Sequence, residues 1–89
     1  MEISLNTQES RFEFEKDGQI AVAEFVASPG VWTVTHIIVP PTLRGGGVAS
    51  VLAAHVVVSA RHENLKIEAQ CSFMAAYLQK HPETRDLWA

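Results

Sequence analysis

Two side chains in this sequence stand out as able to move a proton or act as a nucleophile, and a segment suited to an anion lies between them. His36 lies towards the end of an apolar run, Val31 to Val39, and imidazole gives and takes protons near neutral pH. Cys71, the only cysteine, opens a segment with helical spacing, and thiols at helix starts favour the reactive thiolate. Between them, Arg44-Gly45-Gly46-Gly47-Val48-Ala49 joins the apolar run to an Ala/Val-rich stretch. Three adjacent glycines add nothing to a core and lose much chain entropy on folding, so bare backbone is wanted there. A strand, a glycine turn and a helix start form an anion site. Unpaired N–H groups at a helix N-terminus carry about half a positive charge, and glycines let a phosphate approach them. A diphosphate is the fitting guest.

Two nucleotide motifs fail residue by residue. A P-loop ends in Gly-Lys-Ser/Thr, where this chain has Gly47-Val48-Ala49. A dinucleotide turn follows the first strand of a βαβ unit, whereas three strands precede this one. A lone cysteine also packs well as a small buried hydrophobe, and both readings of Cys71 stand on the residues alone. Tyr77 is either a proton-donating acid or a core aromatic. Glu13, Glu24 and Glu68 alternate with apolar neighbours and read as solvent-facing strand positions, Glu24 being an outside candidate for a base. His55 reads as a helix-face residue, Trp32 and Trp88 as core or edge aromatics. His62 and His81 lack zinc spacing, so no metal is expected.

The elements that must position these residues follow from pattern. Arg11 to Glu15 alternates apolar and charged residues and predicts a strand; Asp17-Gly18 predicts a hairpin turn, and Ile20 to Ala27 the returning strand. Ser28-Pro29-Gly30 turns the chain into a third strand, Val31 to Val39, which Pro40 and Pro41 terminate. Val48 to Glu63 has the length and alanine content of a buried helix, although Val56-Val57-Val58 favours strand by propensity. Leu65 to Ala69 predicts a strand parallel to the third, because a crossover helix precedes it. Ser72 to Lys80 predicts a second helix that His81-Pro82 ends. The expectation is an α+β fold: an antiparallel meander followed by β-loop-α-β-α, around a mixed central sheet, in a single domain over residues 1–89.

Composition excludes several classes. With 89 residues, 47% of them hydrophobic, the chain fits one packed core. A net charge of -3 without any basic run disfavours nucleic acid as a partner. No apolar stretch reaches the roughly 20 residues a membrane span needs, so no membrane partner is expected. MEISLNTQES lacks the features of a secretory signal, and a cytoplasmic location is the expectation.

Six short motifs then occur in order: Arg11-Phe12-Glu13, Asp17-Gly18-Gln19-Ile20-Ala21, His36-Ile37-Ile38-Val39-Pro40, Arg44 to Ala49, Cys71-Ser72-Phe73 and His81-Pro82. Together they resemble the minimal, cysteine-containing GNAT-like acetyltransferases, the N-acetyltransferase-domain-containing protein family. Arg44 to Ala49 matches the Arg/Gln-x-x-Gly-x-Gly/Ala signature by which GNAT enzymes hold the pyrophosphate of coenzyme A. The resemblance implies acetyl-CoA as cofactor and a small-molecule or protein amine as acceptor. It implies that the backbone of Arg44, Gly45, Gly46, Gly47, Val48 and Ala49 binds pyrophosphate, and that Ile38 and Val39 pair with the pantetheine arm. Cys71 and His36 become the catalytic candidates. Ile37 stands where the family usually has threonine, and Ala69 where proline usually precedes the cysteine by two positions. A monomer or weak homodimer is expected. The second reading is a non-catalytic acetyl-CoA-binding or sensor module on the same scaffold, since the helices that usual GNAT domains insert between their first strands are missing.

Overall fold

Asp17 and Gly18 both have positive φ, 52° and 75°, the geometry that lets a two-residue turn match the twist of a hairpin. It joins β2 (Arg11–Lys16) to β3 (Gln19–Ser28), and Pro29-Gly30 returns the chain into β4 (Val31–Ile38). These strands pair antiparallel, as the alternation predicts. A short strand that the pattern does not signal, β1 (Ser4–Asn6), pairs antiparallel with β2 at the sheet edge. Its three largely exposed residues carry no periodicity to read. After β4 come a 3-10 turn (Pro41–Leu43), helix α1 (Val48–His62), strand β5 (Lys66–Ala69) and helix α2 (Ser72–Lys80). A second 3-10 segment, Pro82–Leu87, closes the chain. This computed structural model describes all of residues 1–89. The five strands run in sequence order across one sheet, and β5 lies parallel to β4 as the crossover requires.

One face of the sheet carries the core. Phe12, Phe25 and Trp32 pack ring against ring, with centroids 4.6 to 5.9 Å apart. Val34 and Ile67 extend the layer under Leu52, Val56, Met74 and Leu78 of the helices. Ala21 and Ala23 on β3, and Ala53 and Ala60 on α1, are fully buried; small side chains on both layers allow close approach. The valine triplet adopts helix despite its propensity, with Val56 buried and Val58 exposed. Burial of one helical face in a parallel crossover overrides local preference. No helix is long and apolar enough to cross a membrane.

Two irregularities in β4 matter for the site. Val34 pairs with Phe25 and His36 with Glu24, so Thr35 is an extra residue in β4, a β-bulge. Before it, Trp32 and Val34 face the core; after it, Ile37 and Val39 do. His36 and Ile38 therefore turn to the opposite sheet face, beside Glu24 and Val22. Second, β5 pairs with β4 only from Val31 to Val34. Beyond Val34 the two strands part, and β4 from Thr35 to Ile38 has no strand neighbour on that side.

Candidate active site

The loop after β4 is set by its prolines. Pro40 and Pro41 stop the strand and start the 3-10 turn, in which Leu43 N–H donates to Pro40 O and Arg44 N–H to Pro41 O. Arg44 Nε reaches back 3.0 Å to Val39 O, so this guanidinium braces the loop against the strand end. Gly45 and Gly47 then adopt φ of 89° and 78°, left-handed values that a Cβ opposes. Gly46 does not.

The glycines deliver the chain into a helix start that no side chain closes. Gly47 is the N-cap of α1, it makes no side-chain cap, and the first turn holds no acidic residue. The first bond into the helix runs from Val51 N–H to Gly47 O. The N–H groups of Gly45, Gly46, Gly47, Val48, Ala49 and Ser50 donate to no protein acceptor, six in succession where the helix dipole is positive. The Arg44 amide, expected in this set, is engaged by Pro41 instead, and Ser50 extends the set by one residue. Several of these residues line a cleft of about 250 Å³ that runs from Val39 and Leu43 to Phe73 on α2.

Phe73 leads to the fork between the strands. Gln70 N–H and Cys71 N–H both donate to Val34 O, at 3.0 and 3.1 Å, which pins the start of α2 to the last residue of β4 that β5 pairs. Cys71 is the α2 N-cap, half-buried against the core. His36 lies two residues beyond Val34 on the face away from the helices, its Nδ1 3.4 Å from Glu24 Oε1. Cys71 and His36 thus stand on opposite sides of the sheet near Val34, where β4 and β5 part, and neither lines the cleft itself. Ile38 also faces away from the helices, whereas Val39 lines the cleft. Tyr77 is half-buried, and burial first and Glu83 second hold its hydroxyl above the usual tyrosine value, so it stays protonated. Its ring stacks on His81 at 4.0 Å.

A sequence model of the GCN5-related N-acetyl-transferase family matches residues 11–87, nearly the whole chain. The chain belongs to this family. A GCN5-like protein from Staphylococcus aureus, whose solution structure is known, is 30% identical over 99% of this chain and 87% of its own, with a TM-score of 0.76. A predicted acetyltransferase from Clostridium acetobutylicum, crystallised with acetyl-CoA, shares the fold at 20% identity and a TM-score of 0.55. That match covers 84% of this chain and 58% of the other. No curated protein matches the chain.

Membership makes this an acetyltransferase chain with acetyl-CoA as its donor, and its mixed sheet and helices are the GNAT architecture. In this acetyltransferase three site features have no clear mark in the sequence. Ser50 looks like an ordinary helix residue, and nothing in its type marks an unpartnered amide. Phe73 sits in the Cys71-Ser72-Phe73 motif, but its place in the cleft depends on how α2 docks. The pairing of Glu24 with His36 depends on the bulge at Thr35, for which the one sequence signal is broken alternation along Thr33 to Ile38.

Proposed function

We propose that this acetyltransferase moves the acetyl group of acetyl-CoA onto a primary amine, with the donor laid along the cleft and the fork. The pyrophosphate would rest on the amides of Gly45 to Ser50, the pantetheine arm would run along the unpaired edge of β4 at Ile38 and Val39, and the thioester would reach Cys71. The single observation that carries this reading is the run of six amides without partners at an uncapped helix start. The first N–H groups of a helix have no intrahelical partner, and here, with no capping side chain and a cleft beside them, they favour an anionic guest. Phe73 at the far wall supports a route from loop to fork, and the acetyl-CoA in the Clostridium acetobutylicum fold neighbour agrees with it.

The chemistry asks for two things at the fork. A primary amine with a reference pKa of about 10.4 arrives protonated and must lose a proton before attack. The tetrahedral oxyanion formed by that attack needs donors. His36 is the group suited to the first need. Cys71 lines the thioester end, with its thiol at the start of α2. The chain's net charge of -3 favours cationic acceptors by attraction.

Titrating ¹⁵N-labelled protein with acetyl-CoA tests the reading. The amide resonances of Gly45 to Ser50 should shift most, followed by Phe73 and Cys71; resonances of that loop left unmoved at saturation would overturn it. Thiol release with spermidine or N-α-acetyl-lysine amide as acceptor distinguishes transfer from mere holding of the donor.

A further inference from the structure

We propose that Glu24 is a positioning residue that orients His36 for proton removal from the acceptor, and that the β4 bulge brings the two onto one face. The inference rests on the proposed role of His36 in taking the acceptor's proton. Glu24 and His36 are direct cross-strand partners. Without Thr35 as the extra residue, His36 would fall opposite Ala23, which faces the core, because a one-residue slip turns every subsequent side chain to the other face. The bulge is held in place by Thr35 itself, whose Oγ1 donates to Glu24 O at 3.3 Å. Bulges beside active sites re-aim side chains in this way.

The geometry fixes more than location. The carboxylate faces the imidazole at Nδ1, 3.4 Å from Oε1, a charge contact rather than a closed hydrogen bond, and since a carboxylate only accepts, its charge favours the hydrogen on that nitrogen. Nε2 is left with its lone pair, directed away from Glu24. That is the tautomer a base needs, one nitrogen turned to the carboxylate and the other free. With side chains 65% and 36% exposed, the pair adds little to stability; its effect lies in the orientation it gives the ring.

The proton balance is then explicit. The acceptor ammonium gives its first proton to Nε2, from which it passes to water, while the Nδ1 hydrogen stays in place facing Glu24. The freed lone pair forms the N–C bond, the C–S bond breaks, and the second nitrogen proton goes to the departing thiolate to give free coenzyme A thiol.

Three variants test this: Glu24→Leu, Glu24→Gln, which keeps an acceptor oxygen, and His36→Gln. Imidazole ¹⁵N shifts should report the Nδ1–H tautomer for His36 in the wild type and in Glu24→Leu its loss, at an unchanged melting temperature. With spermidine as acceptor, His36→Gln should lower kcat about a hundredfold or more. Glu24→Leu should lower it roughly tenfold with the KM for acetyl-CoA unchanged, and Glu24→Gln should recover most of the rate. A Glu24→Leu enzyme with wild-type kcat beside a slow His36→Gln overturns this inference alone. A fully active His36→Gln overturns the reading it rests on. If no amine is turned over, the ¹⁵N shifts still decide, and a wild-type imidazole with no preferred tautomer overturns the inference.

Discussion

The two ends of α1 are built on opposite terms. At the C-terminal end Asn64 takes the left-handed conformation, φ 58°, Leu65 N–H donates to Ala60 O at 2.8 Å and Asn64 N–H to Arg61 O at 3.3 Å. This pair of bonds closes the last carbonyls in a Schellman arrangement. Arg61 and His62 in the last turn suit the negative end of the dipole. At the N-terminal end there is no capping side chain and no acidic residue, and six amides in succession have no protein acceptor. A Ser, Thr, Asp or Asn at the N-cap adds about 1 kcal/mol, yet a glycine stands there. One end is completed by the chain itself, while the other is left for what arrives. The contrast within one helix, rather than the glycines alone, is what supports placing the proposed donor site there.

The largest effect should come from closing the open end. Ser50 is exposed, lines the cleft and is the third residue of α1, the position from which a glutamate reaches back to the N-cap amide. Ser50→Glu should therefore raise the melting temperature, through the cap and a dipole contribution of about 0.3–1 kcal/mol, while weakening acetyl-CoA by at least about tenfold. Calorimetry and thermal melting read the two signs separately. Stability and affinity moving in the same direction would contradict the view that the uncapped end exists for the donor.

Opening the closed end should do the reverse. Asn64→Val forces a β-branched residue into left-handed backbone at a penalty of roughly 1–2 kcal/mol, and each kcal/mol lowers the melting point of a chain this size by about 4–8 °C. Asn64→Gly should hold or gain stability. Neither should change acetyl-CoA affinity at a temperature where the protein is folded. A drop in affinity for Asn64→Val alone would mean that the two ends are coupled through the helix.

How much of this is legible in the sequence divides along the same line. The strands with period two, the Asp17-Gly18 turn, the prolines that stop β4 and the glycine loop are local signals, and each stands where they put it. The parallel placement of β5 comes from the crossover rule. The hidden features depend on pairing: β1 has no pattern of its own, the Thr35 bulge shows only in the register of β3 against β4, and Trp88 meets Ile67 through a single bridge. The same limit applies to the site. The glycine loop is contiguous in sequence and can be read there, whereas the positions of Cys71 and His36, on opposite sides of the sheet near Val34, depend on where β5 stops pairing and on the bulge at Thr35.

The smallest effect belongs to acid, and it should register at the closed end. Asp86 accepts from both Nη1 and Nη2 of Arg61, and this hydrogen bond first, then the charges of Arg61 and Lys66, hold its carboxyl below the ordinary aspartate value of 3.8. Glu13 is held below 4.5 by hydrogen bonds from Arg11 and Asn6. A carboxylate lowered by folding contributes stability that is fully present above its unfolded value and is lost as pH falls through its folded one. Melting temperature should therefore be flat from pH 7 to about pH 5 as far as these groups go, and fall below it. The Arg61–Asp86 pair is solvent-exposed and the Arg11–Glu13 pair half-buried at the sheet edge; both are open to screening by salt, so the fall they cause should be shallow and shallower still at high salt. Asp86→Asn should remove part of it and leave the Glu13 share. Since the open end of α1 carries no carboxylate in its first turn, none of this should alter acetyl-CoA binding at pH 7. An Asp86→Asn protein with the same acid slope as the wild type would show that Arg61 and Asp86 do not fasten that end of the helix.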